Sequence, residues 1–370
     1  MIINTIVFPL IMFFYYIFSK SKRQNKKGQK KLIIACSIIL LLESSLRSLS
    51  VGMDTTHYYL YFYESLDRSW ANLLKGFFLR YETLVGDSVD YGALIFYKLI
   101  GTFFPEFHLF TFVGQSFFYI PFGIFMYRHV TNCKQILFAY ILFASLFMGL
   151  PNANARQFYA IGFTVMSLLF FERRKYWKTA IALVLGMTIH LSALVVCVYY
   201  AIRLLPNKWI NRLSILAIPA FFVSLVVGSA IIKSMGGFIG SEKYASYGNE
   251  VSGGALTYIV LSFAMCVFCM FVLKKYATTN ISLKLLYPMI PITLFLVPLI
   301  YVDGSMLRVT MYFQIYFCLL TPMALEKQFN NDKNVFWFVL LGLMIVSIAT
   351  GSPTYKFMWE EEQNVWLYYK

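Results

Sequence analysis

Apolar and polar residues follow one another along this chain in long blocks, without the short periods of soluble amphipathic helices. The first block, Ile2 to Phe18, is long enough to cross a membrane when tilted, and similar blocks follow with short polar breaks. Runs of this length and polarity predict membrane-spanning helices. We therefore expect an all-α polytopic integral membrane protein with about twelve transmembrane helices.

The predicted spans follow the apolar runs in chain order. They cover residues 2–18, 32–46, 109–127, 135–151, 158–171, 214–232, 255–273, 283–301, 309–325 and 335–349. The run Tyr176 to Ile202 is too long for one span and has basic residues at both ends, so it predicts two short helices that bend near His190. The run Tyr91 to Phe104 is short and leads into Pro105-Glu106, which predicts a re-entrant or interfacial external hairpin.

Charged residues set the predicted orientation. The segment Lys20–Lys31 holds seven basic residues and no acidic one, so the positive-inside rule places it in the cytoplasm. Walking the spans from there leaves residues 47–108 and 233–254 and the tail 350–370 outside, around one integral membrane domain that covers residues 1–370. Basic residues concentrate in the predicted cytoplasmic loops.

Composition agrees with this class of protein. Hydrophobic residues make up 59% of the chain and charged residues 13%, far from the usual soluble composition. The net charge of +15 follows from the topology and favours contact with anionic membrane lipids, with no need for nucleic acid as a partner. The cysteines, including the pair Cys266 and Cys269, nearly all lie in apolar runs, which favours packing over metal or redox chemistry.

Charges that do not set the orientation gather at the predicted outer face. They are Arg47, Asp54, His57, Arg156, His190, Asp303 and Arg308. Because polar groups at membrane depth are costly, this set marks the candidate functional site.

Arg156 carries the strongest local argument. Asn154 and Gln157 resemble a capping box, which predicts a helix that starts at Ala155 and runs inward. The positive end of that helix faces outward and favours an anion, yet Arg156 opposes the dipole from the first turn. Ser305 and Arg308 repeat the pattern, and two such arginines suit a pyrophosphate. Snorkelling to lipid headgroups is the alternative for both arginines.

Other outer residues have weaker signals. Arg47 follows Glu43 by four residues, which also fits a structural ion pair. His190 fits a proton acceptor or a donor to phosphate, or a histidine bonded to a neighbouring carbonyl. Asp54 fits a turn cap, a base or an acceptor for a sugar hydroxyl, beside His57 and the aromatic series that begins at Tyr58. We find no spacing typical of metal ligands or of a phosphate-binding glycine loop, and expect neither metal nor cofactor.

The order and spacing of several motifs resemble a known family. The motifs are Arg47-x4-Gly52-x-Asp54-x3-Tyr58, Asn154-x-Arg156-Gln157-x2-Ala160, Arg173-Arg174-Lys175, Ile189-His190-Leu191-Ser192-Ala193, Tyr244-x2-Tyr247 and Arg308-x3-Tyr312-Phe313. From Arg47 to Phe313 the chain resembles the EpsG-like branch of the Wzy-type bacterial polysaccharide polymerases. That family is similar in fold to C-type membrane glycosyltransferases and O-antigen ligases. The acidic segment from Glu82 to Tyr91 is longer than the family pattern.

The resemblance implies an enzyme of the cytoplasmic (inner) membrane with an outward-facing site. It would transfer a growing O-antigen or exopolysaccharide chain from undecaprenyl pyrophosphate to a new lipid-linked oligosaccharide repeat unit. Flippase and chain-length regulator proteins are the expected protein partners. A ligase-like transfer to another acceptor, a membrane-bound acyltransferase and a polysaccharide or lipid transporter are the alternatives.

The implied site has two parts. His190, Asp54 and Arg156 are the predicted catalytic residues. The pyrophosphate and the glycan are expected to be bound by Arg47, Arg156, Arg308, His57, Tyr58, Tyr244 and Tyr247. The last two tyrosines lie in the 233–254 segment, whose length and glycines suit a lid.

Overall fold

A computed structural model describes residues 3–19, 26–52, 54–82, 91–239, 255–330, 332–350 and 355–360, without the side chains of 80–82, 235–239 and 350. Within these ranges the regular structure is helical. The first ten helices, α1 to α10, are Asn4–Ser19, Lys26–Ser45, Thr55–Asp67, Trp70–Glu82, Tyr91–Gly101, Phe107–His129, Cys133–Leu146, Gly149–Ala153, Ala155–Glu172 and Tyr176–Ile189. A 3-10 helix, Leu191–Val195, follows.

The remaining helices complete the described chain. Helices α11 to α19 are Val196–Arg203, Asn207–Ile239, Leu256–Leu273, Ile281–Leu286, Met289–Leu296, Leu299–Val302, Met306–Gln314, Phe317–Gln328 and Lys333–Thr350. A second 3-10 helix covers Met358–Glu360. Every predicted apolar run is helical, which confirms the all-α membrane class.

The predicted number of spans is not supported. Among the described residues, five helical stretches are long and apolar enough to cross a membrane: Phe107–His129, Cys133–Ala153, Asn207–Ser234, Leu256–Leu273 and Ile281–Val302. Other apolar runs form helices of 10–17 residues. Within Ile281–Val302, Pro288 and Pro298 separate three short helices, because a proline ring lacks the amide hydrogen that continues a helix. Apolar length therefore overstates helix length in this chain.

The segment after Arg47, predicted only as external, contains two helices, α3 and α4. Lys98 on α5 is buried, and its Nζ donates to the carbonyl oxygens of Ser65 at 3.3 Å and Leu66 at 2.7 Å near the end of α3. A cation is favoured at that helix end. At about 1.5 Å per residue, α5 is roughly half as long as the hydrocarbon core is thick, a length that fits the predicted re-entrant or interfacial segment.

The chain divides into two compact units. The first contains Met1–Leu74, Asp90–Leu191 and Asp332–Lys370, and the second contains Lys75–Val89 and Ser192–Asn331.

Hydrogen bonds define two opposite ends of the first unit. At one end, the C-terminus of α2 meets the start of α6, where His108 Nδ1 lies 3.1 Å from the carbonyl oxygen of Ser45. At the other end, Arg128 on α6 pairs with Glu172 on α9. Since α9 runs from Ala155 to Glu172, its first turn lies at the end opposite this ion pair. We call that end of the unit the Arg156 end.

A buried polar network ties helices together in the second unit. Gln314 on α17 accepts from the hydroxyls of Tyr258 at 2.6 Å and Thr310 at 3.0 Å. Its amide donates to Ser262 Oγ at 3.2 Å. These contacts join α17 to α13 and fix the face of α17, the helix that carries Arg308.

Candidate functional site

The start of α9 is the first part of the site. This helix begins at Ala155 as predicted, but the Asn154 side chain makes no capping hydrogen bond, so the capping box was wrong. Gln157 is instead buried, with 1% of its surface exposed. The first-turn amides of α9 therefore lack the predicted side-chain cap, and the positive end of the helix dipole remains.

Arg156 lies against two tyrosine rings. Its Cζ is 5.7 Å from the ring centroid of Tyr58 and 5.7 Å from that of Tyr61, both on α3. Contacts of this length are cation–π interactions. Each ring face attracts the positive charge of the guanidinium through the quadrupole of the ring. The rings thus hold the cation at the helix start despite the unfavourable dipole.

A tight turn positions those tyrosines. Gly52 has φ +92°, and a Cβ placed there would lie 1.9 Å from the Asn152 carbonyl oxygen, so only glycine fits. Thr55 Oγ1 donates to the same oxygen at 3.0 Å, and the Tyr58 hydroxyl donates to the Ala153 oxygen at 3.2 Å. The first turn of α3 is therefore bonded to Asn152 and Ala153, which lie just before the N-cap of α9.

Asp54 faces the Tyr58 hydroxyl. The Tyr58 oxygen lies 3.4 Å from Asp54 Oδ2, and Asp54 is half-buried. Asp54 occupies the N-cap position of α3, yet its side chain makes no capping bond there. This carboxylate therefore stands beside a tyrosine that also touches Arg156. His57, one turn along α3, is exposed.

Beneath this surface lies a buried polar pair. Glu43 Oε1 accepts from the side-chain amide of Asn152 at 3.2 Å. Arg47 is 2% exposed and donates through Nη1 to the Ser44 carbonyl oxygen. Burial lowers the pKa of Arg47, whereas nearby Tyr159 and Glu43 favour its charged form. Arg47 thus places a buried positive charge behind the Arg156 end.

A segment near the end of the chain packs against the residues around Arg47. Arg47 forms an antiparallel bridge with Phe357. Ser48 N donates to the Lys356 oxygen at 2.9 Å, and Met358 N donates to the Leu46 oxygen at 2.8 Å. We call residues 355–360 the C-terminal strap. The Tyr355 hydroxyl donates to the Glu43 carbonyl oxygen, and burial raises the pKa of Tyr355.

His190 lies where the chain breaks. Helix α10 ends at Ile189, and His190 has an extended backbone with φ −151° and ψ 114°. Its amide still donates to the Gly186 oxygen at 3.0 Å. The predicted break near His190 is confirmed. Because α10 packs antiparallel to α9 after a short turn, His190 lies toward the Arg156 end of the first unit.

Arg308 belongs to the second unit, on the first turn of α17, and is half-buried. The Ser305 side chain does not cap this helix, contrary to prediction; Asp303 Oδ1 accepts from Ser305 N at 2.7 Å instead. Tyr312, one turn beyond Arg308, accepts from Ser192 Oγ at 3.0 Å. This hydrogen bond lies within the second unit.

Two predicted residues, Tyr244 and Tyr247, lie outside the described residues. Across the described ranges, no three His, Cys, Asp or Glu side chains come together as metal ligands. Sequence reasoning missed three contributors: Asn152, Tyr61 as a partner of Arg156, and Tyr355. Of these three, only Tyr61 could have been found from the sequence, because it lies one helical turn after Tyr58 on the same helix face.

The fold and this polar end define an all-α membrane protein with a tyrosine-lined cationic site. The chain matches the EpsG family over residues 30–358 and belongs to that family, as the motif resemblance predicted. Membership supports a polysaccharide polymerase in general. Neither a curated protein nor a solved structure matches the chain.

Proposed function

We propose that this chain is a membrane glycosyltransferase that polymerises undecaprenyl-pyrophosphate-linked oligosaccharide repeat units. The growing glycan leaves its pyrophosphate carrier and joins the non-reducing end of a new lipid-linked unit. The site faces the outer side of the bacterial cytoplasmic membrane. Family membership supports the polymerase class, and the Arg156 end supports the choice of a pyrophosphate-linked donor.

The observation that carries the proposal is the position of Arg156. A half-buried guanidinium sits in the first turn of α9, where its charge opposes the helix dipole by about 0.3–1 kcal/mol. Tyr58 and Tyr61 hold it there. An anion offsets this repulsion, because it is attracted both by the guanidinium and by the helix end. A pyrophosphate supplies that charge and oxygens in a suitable geometry.

The chemistry needs a stabilised leaving group and a base. The bond between the anomeric carbon and the pyrophosphate oxygen breaks as the acceptor hydroxyl oxygen bonds to that carbon. Arg156 stabilises the charge that develops on the departing pyrophosphate. Arg47, being buried, supports it through its electric field. The hydroxyl proton passes to His190 or to Asp54.

The other proposed contacts come from the sequence. His57 and Tyr58 lie beside Asp54 and are assigned to the glycan, with Tyr244 and Tyr247. Arg308 is assigned to phosphate because its position on α17 repeats that of Arg156 on α9.

Point variants test the proposal in a strain that lacks the chain. Removal of one charge-stabilising donor costs about a hundred- to a thousandfold in rate, so Arg156→Ala should leave single repeat units on the carrier lipid. Arg156→Lys keeps the charge but loses the paired donors, and should give intermediate activity. Arg173→Ala is the matched control, since Arg173 is exposed at the opposite end of α9.

Analysis of the lipid-linked glycans separates the outcomes. Long polymers in the Arg156→Ala strain would show that the pyrophosphate role is wrong. Long chains that accumulate on the carrier lipid in the deletion strain would instead indicate a ligase.

The proposed sidedness needs its own measurement. Cys197 is exposed and the other described cysteines are buried, so Cys197→Ser gives a suitable background. A membrane-impermeant maleimide added to intact cells should label His57→Cys and not Arg174→Cys, two exposed positions in the first unit. The reverse pattern would place the Arg156 end in the cytoplasm and refute the outward-facing site.

A further inference from the structure

The C-terminal strap carries an exposed aromatic stack. Trp359 is 66% exposed, and its ring lies parallel to that of Phe357, with centroids 4.5 Å apart and planes at 8°. Tyr355 packs edge-on against Phe357 at 5.2 Å. One face of the indole is thus backed by a second ring. We propose that Trp359 stacks against a sugar ring of the lipid-linked glycan, an inference that rests on the proposed function.

The stack is held in a fixed position. Backbone bonds on both sides of Phe357 join the strap to residues 46–48. Glu360 Oε2 accepts from Phe357 N at 2.8 Å, which closes the turn that brings Trp359 over Phe357. A ring fixed before binding loses little conformational entropy when a ligand stacks on it.

The strap lies at the Arg156 end of the first unit. Phe357 bridges Arg47, and Tyr58 is an electrostatic neighbour of Arg47. The same Tyr58 ring contacts Arg156. A glycan whose pyrophosphate lies at Arg156 therefore extends from the end of the unit where Trp359 is exposed.

The face of a sugar ring and the face of the Trp359 indole have complementary partial charges. A pyranose ring presents a face of C–H groups with partial positive charge, and the face of an indole is the negative side of its quadrupole. Irregular backbone is not found exposed to lipid tails, and Lys356 and Trp359 of the strap are exposed, so the strap belongs outside the hydrocarbon layer. That level is where a hydrated glycan attached to a lipid pyrophosphate would lie.

Binding measurements with a matched tryptophan test this role. Trp177 is the control, since it is also 66% exposed but lies at the start of α10, at the opposite end of the first unit. The probe is the repeat-unit oligosaccharide released by mild acid from carrier lipid of the deletion strain. Equilibrium dialysis against the purified full chain in detergent should show binding weakened about three- to tenfold by Trp359→Ala. Trp359→Phe should keep most of the affinity, and Trp177→Ala all of it.

Kinetics supply a second readout. With lipid-linked units as substrate, Trp359→Ala should raise KM by a similar factor and leave kcat nearly unchanged, as expected when binding energy shared by the ground state and the transition state is lost. Equal affinity in Trp359→Ala and wild type would overturn the proposal. So would a lower thermal midpoint with unchanged affinity, which would indicate a membrane-interface anchor. If either result is found while Arg156→Ala is inactive, the proposal for Trp359 is wrong and the proposed polymerase function still stands.

Discussion

Gly52→Ala tests whether the turn before α3 sets the position of Arg156. The new Cβ would lie 1.9 Å from the Asn152 oxygen, whereas ordinary contact starts at 3.4 Å, so the turn must move by about 1.5 Å. That movement breaks the hydrogen bonds from Thr55 and Tyr58 to residues 152 and 153. Strain at positive φ adds about 1–2 kcal/mol, so unfolding should become easier by about 2–5 kcal/mol in all.

The larger effect is expected on catalysis. Tyr58 moves with the turn, and its ring is one of the two that hold Arg156. Since a displacement of about 1 Å in a catalytic group costs about a hundredfold in rate, polymer synthesis should fall by about that factor.

The assay measures polymer made from lipid-linked units by the purified variant, beside its thermal midpoint in detergent. Gly149→Ala is the control, because a Cβ at Gly149 meets nothing within 4 Å. Thr55→Ala removes the hydroxyl that donates to the Asn152 oxygen, adds no group that could clash, and should lose activity to a smaller extent. A Gly52→Ala variant with wild-type activity would refute the coupling between the turn and Arg156.

Three further predictions concern stability. Lys98→Met removes both bonds to the carbonyls near the end of α3 and should lower the thermal midpoint in detergent, with a loss of about 1–3 kcal/mol. Gly162→Ala brings a Cβ to 2.3 Å from the Phe117 oxygen, so it should separate α6 from α9 and reduce the yield of folded protein seen by gel filtration. Arg128→Gln breaks the pair with Glu172 at the end opposite the site, and should reduce stability by about 1 kcal/mol or less while polymer synthesis stays unchanged.

Local sequence signals predicted the positions of several helix ends. A polar break before a long apolar run marked Ala155 as the start of α9. The polar residue His190, inside another long apolar run, marked the end of α10. Each of these two helix ends can be recognised from a few neighbouring residues in the sequence. The same signals did not predict which side chain would cap a helix, since Asn154 makes no capping bond and Asp303 acts where Ser305 was expected. Caps depend on backbone angles that residue types alone do not fix.

Contacts between distant parts of the chain were beyond prediction. Tyr355 and Glu43 are 312 positions apart, and no periodic pattern marks either residue as the other's partner. Asn152 bonds Glu43 across 109 positions, and no local signal marks this pair either. The span count failed because several apolar runs form helices too short to cross a membrane, such as Tyr176–Ile189, which ends at His190.

The arrangement around Arg156 explains why a costly residue stands at the start of α9. The helix dipole opposes the guanidinium, and two cation–π contacts of about 0.5–1 kcal/mol each offset a penalty of similar size. The charge can therefore stay at the helix end when no anion is bound. Under the proposed function, a pyrophosphate would be attracted by the guanidinium and by the first-turn amides together. Because both tyrosines stand on α3, the turn at Gly52, which precedes that helix, positions the two rings.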